Sequence, residues 1–278
     1  MVTIVVTGAS GFLGRAVVRA LGKRNGVRVQ PVSRQPLPDA VRVRSYAEAP
    51  AGDVLIHLAE EPDRTKVAAL GSTYESGALR TVAALLERSY ARVIYASSTV
   101  LYGDASIGPH VPDDAVYVTD AYTRLKRTAE LAVLESACGT VARLSNVYGP
   151  GMSPRNVIST ILAQIPGAGP LVVIDTTPVR DFLWVDDAAE AFAELATATT
   201  AQGIFNVATG IGTSIGGVAT LALEIAGETG REVVATTTGP MSAIVADRER
   251  MTREYRWQPH VGLRDGLGVL LSTSPVHR

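Results

Sequence analysis

The chain has 278 residues, 46% of them hydrophobic and 19% charged, with 26 Lys plus Arg against 27 Asp plus Glu and a net charge of −1. This supports a full hydrophobic core, in one large domain or two small ones, and excludes a disordered chain. The balanced charge gives no general pull toward nucleic acid or an anionic membrane, and the single cysteine, Cys138, excludes an internal disulfide and a cysteine-based metal site. Cys138 reads as a small buried apolar residue. No apolar run approaches the about 18 residues of a membrane span. The first run, Thr3–Val6, is too short for the core of a secretory signal, so a cytoplasmic protein is expected.

In chain order, strands are expected at Thr3–Thr7, Val27–Ser33, Val54–Leu58, Arg92–Ser97 and Gly139–Leu144, with helices over 14–24, 72–89 and 121–137. Such alternation implies a parallel sheet with right-handed crossovers, an α/β doubly wound fold of Rossmann type. Ligands of these sheets sit at the carboxyl ends of the strands. After Tyr148-Gly149-Pro150-Gly151 the rhythm breaks into short segments punctuated by Gly and Pro, and Ala188–Ala198 reads as a further helix. We therefore expect residues 1–151, rejoined by about 179–203, to form the main domain around the parallel sheet. Residues 152–178 and 204–278 would form a smaller mixed α/β region. The tail after Leu271 is expected to fray.

The first strand runs into Gly8-Ala9-Ser10-Gly11-Phe12-Leu13-Gly14. A strand, a glycine turn and a helix start make an anion site, where N–H groups point at the ligand and the helix dipole adds about half a positive charge. Gly8 permits the turn, Gly11 lets a pyrophosphate approach the backbone, and Gly14 lets the helix pack on the strand. Farther on, Tyr122 and Lys126 stand four apart, a spacing that puts both on one helix face. A phenol titrates near about 10, and an adjacent ammonium favours its phenolate. The strand before that helix ends at Ser97-Ser98-Thr99, where a hydroxyl can orient a carbonyl for the phenol.

In this order the motifs resemble the extended short-chain dehydrogenase/reductases of the NAD(P)-dependent epimerase/dehydratase kind. The resemblance runs through the glycine turn, Asp53-Val54-Leu55-Ile56-His57-Leu58-Ala59, Ser97 to Gly103, Tyr122 with Lys126, Arg143 to Gly151, Arg180 to Asp187, Phe205-Asn206-Val207 and Trp257-Gln258-Pro259. It implies Ser98 as the catalytic hydroxyl, Tyr122 as acid/base and Lys126 as its partner, which also holds the nicotinamide ribose. Gly8, Ser10, Gly11, Phe12, Leu13 and Gly14 would line the pyrophosphate. Leu58, Ala59 and Ser97 would pass beside the cofactor. Thr99, Asn146 and Arg180 would face the substrate, the last two at a sugar-nucleotide diphosphate. Alternatively, Asn146 is a turn residue, and Arg180 forms a surface ion pair with Asp181 or Asp186. His57 is expected to be structural. The family further implies a homodimer through the helices holding 72–89 and 121–137, a small-molecule substrate, and neither a metal nor a nucleic-acid partner.

Several positions depart from the pattern. The second strand ends at Ser33-Arg34 where an NAD site carries an acid, so these residues favour a 2′-phosphate and hence NADP, with NAD the alternative; Arg34 otherwise reads as a solvated loop residue. Arg44-Ser45-Tyr46 replaces an Asp-Leu pair, Glu60-Glu61 stands where small residues are usual, Tyr74 replaces an asparagine, and Thr236-Thr237-Thr238 stands where an arginine is expected. A 4,6-dehydratase needs an acid and a base beside the catalytic hydroxyl. Thr99-Val100 supplies neither. The expectation is an NADP(H)-dependent 4-ketoreductase acting on a nucleotide-linked deoxysugar. A 4-epimerase with tightly bound NAD is the alternative, and a non-catalytic NADP sensor is disfavoured by retention of Ser98, Tyr122 and Lys126.

Overall fold

A computed structural model of the protein describes residues 1–105 and 108–273. Strands β1 (Val2–Thr7), β2 (Val27–Ser33), β3 (Val41–Arg42), β4 (Val54–His57), β5 (Arg92–Ser98) and β6 (Gly139–Leu144) pair in parallel. Helices α1 (Phe12–Gly22), α2 (Arg64–Leu86) and α3 (Ala121–Glu135) connect them. Their side chains divide by pleat. Ile4, Val6, Ile56 and Ile94 pack on the α1 face. Val5, Leu55 and Val93 lie in a separate cluster with Leu85 of α2, and Tyr95 and Val141 join Val82 of α2 and Ala129 and Val133 of α3. Both faces are covered, which is why these strands read as continuous apolar runs rather than alternating ones.

The expected helix 72–89 is the later part of a longer one. α2 begins at Arg64, where the Asp63 side chain accepts the Lys66 N–H at 3.1 Å, and non-helical Gly71 (φ 67°, ψ −162°) interrupts it. α3 starts where expected because Asp120 and Thr123 cap it reciprocally.

Beyond β6 come β7 (Asn146–Tyr148), α4 (Val157–Leu162), β8 (Leu171–Val173), β9 (Val179–Trp184), α5 (Val185–Thr197) and β10 (Gly203–Val207). They are followed by β11 (Gly212–Ser214), α6 (Ile215–Ala226), β12 (Val233–Ala235), β13 (Ala243–Ile244), α7 (Glu249–Tyr255) and α8 (Leu263–Thr273). The large sheet has the order β10-β6-β5-β4-β1-β2-β3. β9 pairs with β7, β11 and β13 in a smaller sheet, and β8 pairs with β12. A second core of Tyr148, Ile161, Leu171, Trp184, Val218 and Leu267 joins α4, α6 and α8.

Two boundaries differ from expectation. β10 pairs with β6, so 203–207 lie in the large sheet although a second region was expected from 204. α7 follows it there: Met251 and Trp257 pack in the α1–α5 core. Cys138 is half-buried at the turn into β6 rather than buried. Ser272 and Thr273 close α8, and the remainder of the tail expected to fray lies outside the described residues. Among the described residues no helix is long and apolar enough to cross a membrane.

Candidate active site

The carboxyl ends of β1, β2, β4 and β5 lie along one edge of the sheet, with the glycine turn following β1. Gly8 has φ +74°, and a Cβ there would stand 3.0 Å from the Leu58 carbonyl carbon, so the β4 loop with Leu58 and Ala59 runs directly against the turn. The Gly11 N–H donates to the Gly8 carbonyl at 2.9 Å. Gly11 then caps α1 without offering a side chain to its first N–H groups, which an α-helix leaves without internal partners. A Cβ on Gly14 would lie 2.1 Å from the Gly8 oxygen. This backbone cradle fits a dinucleotide pyrophosphate. On β5, the buried Ser97 hydroxyl has no partner among the described residues.

At the end of β2 the Ser33 hydroxyl donates to Ser10 Oγ at 2.9 Å and accepts the Gln35 N–H at 3.0 Å. Ser33 thereby ties this strand end to the glycine turn. Arg34 is exposed, its guanidinium 5.2 Å from the centre of the Tyr46 ring. Tyr46, one of the departures seen in the sequence, thus supports Arg34.

Ser98 closes β5 and caps a short 3₁₀ turn, Thr99–Tyr102. Its oxygen accepts the Val100 N–H at 3.3 Å, leaving the O–H free to donate. Thr99, expected to face the substrate, is buried. Tyr122 and Lys126 are both buried on the side of α3 that faces β5. Lys126 Nζ donates to the Ala96 carbonyl at 2.7 Å, two residues before Ser98, and lies 5.8 Å from the centre of the Tyr122 ring. The structure thus brings the glycine turn, Ser97, Ser98, Tyr122 and Lys126 to one end of the sheet.

Sequence reasoning missed what holds Lys126. Glu60 Oε2 lies 2.8 Å from Nζ, and the Tyr95 hydroxyl donates to the same carboxylate at 2.8 and 3.0 Å. Burial disfavours the Glu60 charge, but Lys126, His57 and the Tyr95 hydrogen bond outweigh it and hold the carboxyl below its ordinary value. Burial also opposes the Lys126 charge, and Glu60 with Tyr122 reverses that, raising its proton affinity. His57, bonded to Thr7 Oγ1 at 2.8 Å and stacked on Tyr95, is pushed down to about 4 by burial, so it is neutral near pH 7 and structural as expected. The available signal was a carboxylate placed two residues after Leu58, at the end of a fully buried strand.

Asn146 and Arg180 lie apart from this cluster, on the paired strands β7 and β9. Asn146 is exposed. Arg180 pairs with neither Asp181 nor Asp186. It donates to the Val179 and Ser242 carbonyls at 2.8 and 3.0 Å and to Ser242 Oγ at 2.7 Å, and Ser242 donates to Asp104 at 2.7 Å. Asp181 is buried and accepts the Thr209 and Gly210 N–H groups, while Asp186 meets Arg19 at 3.0 Å.

Residues 4–208 match the model of the NAD dependent epimerase/dehydratase family. A dTDP-glucose 4,6-dehydratase from Streptomyces griseus is 26% identical over 310 aligned positions, covering 99% of this chain and 94% of that protein. The structure of MoeE5 in complex with UDP-glucuronic acid and NAD is 26% identical, covers 95% of this chain and 96% of its own, and superposes with a TM-score of 0.81. RMD from Pseudomonas aeruginosa, solved with NADPH, is 24% identical, with a TM-score of 0.83 over 98% of each chain, a likeness of fold. Homologues of this kind are NAD(P)-dependent dehydratases, epimerases and reductases, so this protein is an enzyme of that type. With a Rossmann sheet, a glycine cradle at its carboxyl edge and a family match over most of its length, the chain belongs to the NAD dependent epimerase/dehydratase family.

Proposed function

We propose that the protein is an NADP(H)-dependent 4-ketoreductase of nucleotide-linked deoxysugars, with Tyr122 as the acid that protonates the substrate oxygen. The observation that carries the reading is the burial of Tyr122 and Lys126 against the end of β5, with Lys126 bonded to Ala96 and the Ser98 O–H free to donate. The bound nicotinamide supplies the hydride. Ser98 hydrogen-bonds the carbonyl, Tyr122 Oη donates the proton, and the Lys126 ammonium favours the phenolate left behind. Arg34 holds the adenosine 2′-phosphate, while Ser33, expected to share that role, is fully buried with its hydroxyl committed to Ser10 and Gln35 and shapes the turn instead; Asn146 and Arg180 hold the substrate diphosphate. The UDP-sugar carried by MoeE5 supports the nucleotide-sugar part. Thr99 and Val100 bring no carboxylate to the catalytic hydroxyl, which disfavours dehydration.

The test is NADPH consumption with a 4-keto-6-deoxy nucleotide sugar, using UDP and dTDP forms in parallel. Tyr122→Phe should lower turnover by at least about a hundredfold while leaving NADPH affinity nearly unchanged. Unchanged turnover removes Tyr122 from the mechanism. Sugar interconversion without net cofactor turnover makes the enzyme a 4-epimerase instead.

A further inference from the structure

Lys126 is one of only three lysines in the chain, and Lys23 and Lys66 are exposed. Two of its three N–H donors are engaged inside the protein, one by the Ala96 carbonyl and one by Glu60. The Lys126 and Glu60 side chains are 8% and 5% exposed. An ammonium this deep must be paired or lose its proton, because burying an isolated charge is far costlier than burying a neutral amine.

The groups facing this pair come from every element around it. β4 brings His57, neutral near pH 7. β5 brings Tyr95, its phenol pushed well up by burial and by Glu60. α3 brings Tyr122, and beyond it Glu130, which is engaged by Arg143. α2 brings Tyr74, whose hydroxyl accepts the Glu61 N–H at 2.6 Å, while the Glu61 carboxylate turns away to Lys66 at 2.8 Å. Two departures that are separate in the sequence, Glu60 and Tyr74, therefore meet around Lys126. Glu60 is the carboxylate paired with the ammonium.

We propose that Glu60 is a positioning residue: its carboxylate anchors Lys126 from within the protein, fixes Nζ beneath Tyr122 and offsets the ammonium charge. This rests on the reading of Lys126 as the partner of Tyr122. One N–H of Lys126 remains for a ligand, and the buried pair carries no net charge. Removing the carboxylate charge makes proton loss from Lys126 easier.

Three lysines make the test direct. With ¹³C-labelled lysine, NMR shows one titrating signal per residue, and Lys126→Arg identifies the buried one. In the wild type, Lys126 should titrate above the ordinary lysine value. Titration at or below that value overturns the proposal without any variant. In Glu60→Gln, the Lys126 signal should move to lower pH by at least about one unit, a tenfold loss of proton affinity, with Glu60→Asp in between. An unmoved signal overturns the proposal. The pH–rate profile of Glu60→Gln should shift in the same direction, and a fixed profile beside a shifted lysine overturns the link to catalysis. If Tyr122→Phe keeps full turnover, the proposed function fails, while the lysine titration still decides whether Glu60 anchors Lys126.

Discussion

Gly14→Ala sets two effects of opposite sign against each other. Alanine inside a helix is ordinarily favoured over glycine by about 1 kcal/mol. At Gly14, however, the new Cβ would stand 2.1 Å from the Gly8 oxygen, 2.8 Å from its carbon and 2.9 Å from Ala9 Cα. All three are backbone atoms, so no side chain can swing aside. Real Cβ atoms essentially never approach within 3.0 Å, and α1 must therefore retreat from the turn by roughly 1 Å. That lifts Ala16, Val17, Ala20 and Leu21 from a close-packed core. Overpacking costs about 1–3 kcal/mol, and a 2.1 Å approach to backbone belongs at the upper end, so after the helix gain of about 1 kcal/mol the net loss should be about 2 kcal/mol, with a marked loss of dinucleotide affinity as the cradle opens. Gly22→Ala is the control. It closes the same helix, is exposed and meets nothing within 4 Å, so it should gain about 0.5–1 kcal/mol. Urea unfolding of both variants and NADPH titration read the outcome. A Gly14→Ala protein as stable as the wild type refutes the steric argument.

Further expectations follow from the same kind of contact. Glu130 is fully buried and grips Arg143 Nε and Nη2 at 2.9 and 2.8 Å, so Glu130→Gln should cost about 3–5 kcal/mol in urea unfolding; replacing both partners with apolar residues should cost much less. His57 binds a proton in the unfolded chain near pH 6.5 but in the folded protein only at about 4. Stability should therefore fall as pH drops through that window, by up to roughly 3 kcal/mol, and His57→Gln should flatten the decline; an equally steep decline in the variant rules His57 out as its source. Arg34→Asp should reduce the NADPH-to-NADH affinity ratio by at least about tenfold in parallel titrations, and an unchanged ratio removes Arg34 from the 2′-phosphate site.

The readable parts of the site were those whose chemistry is local in sequence. The glycine turn spans seven residues, and Tyr122 and Lys126 need only one helical turn to share a face. β2 and β6 were legible end to end because β-branched runs were bounded by turn residues. The anchor of Lys126 was not, because Glu60, Tyr95 and Tyr74 arrive from a loop, a strand and a helix, and only the sheet order brings them together. Arg180 shows the same limit. Its nearest acids in sequence, Asp181 and Asp186, are both engaged elsewhere, and Ser242, far along the chain, holds it. The edge strand β10 was hidden because its pairing partner β6 lies far earlier in the chain.

The position of β10 and α5 bears on how the protein comes off the ribosome. A chain ending at 151 has the glycine turn, Ser98, Tyr122 and Lys126, yet β6 is an open edge and the apolar stripe of α1 faces water until α5 is made. Trp257 then closes the same layer, its indole N–H donating to the Asp187 carbonyl at 3.1 Å. The layer around α1 is therefore finished by residues as far along the chain as Trp257, beyond the two segments, 1–151 and about 179–203, expected to build it.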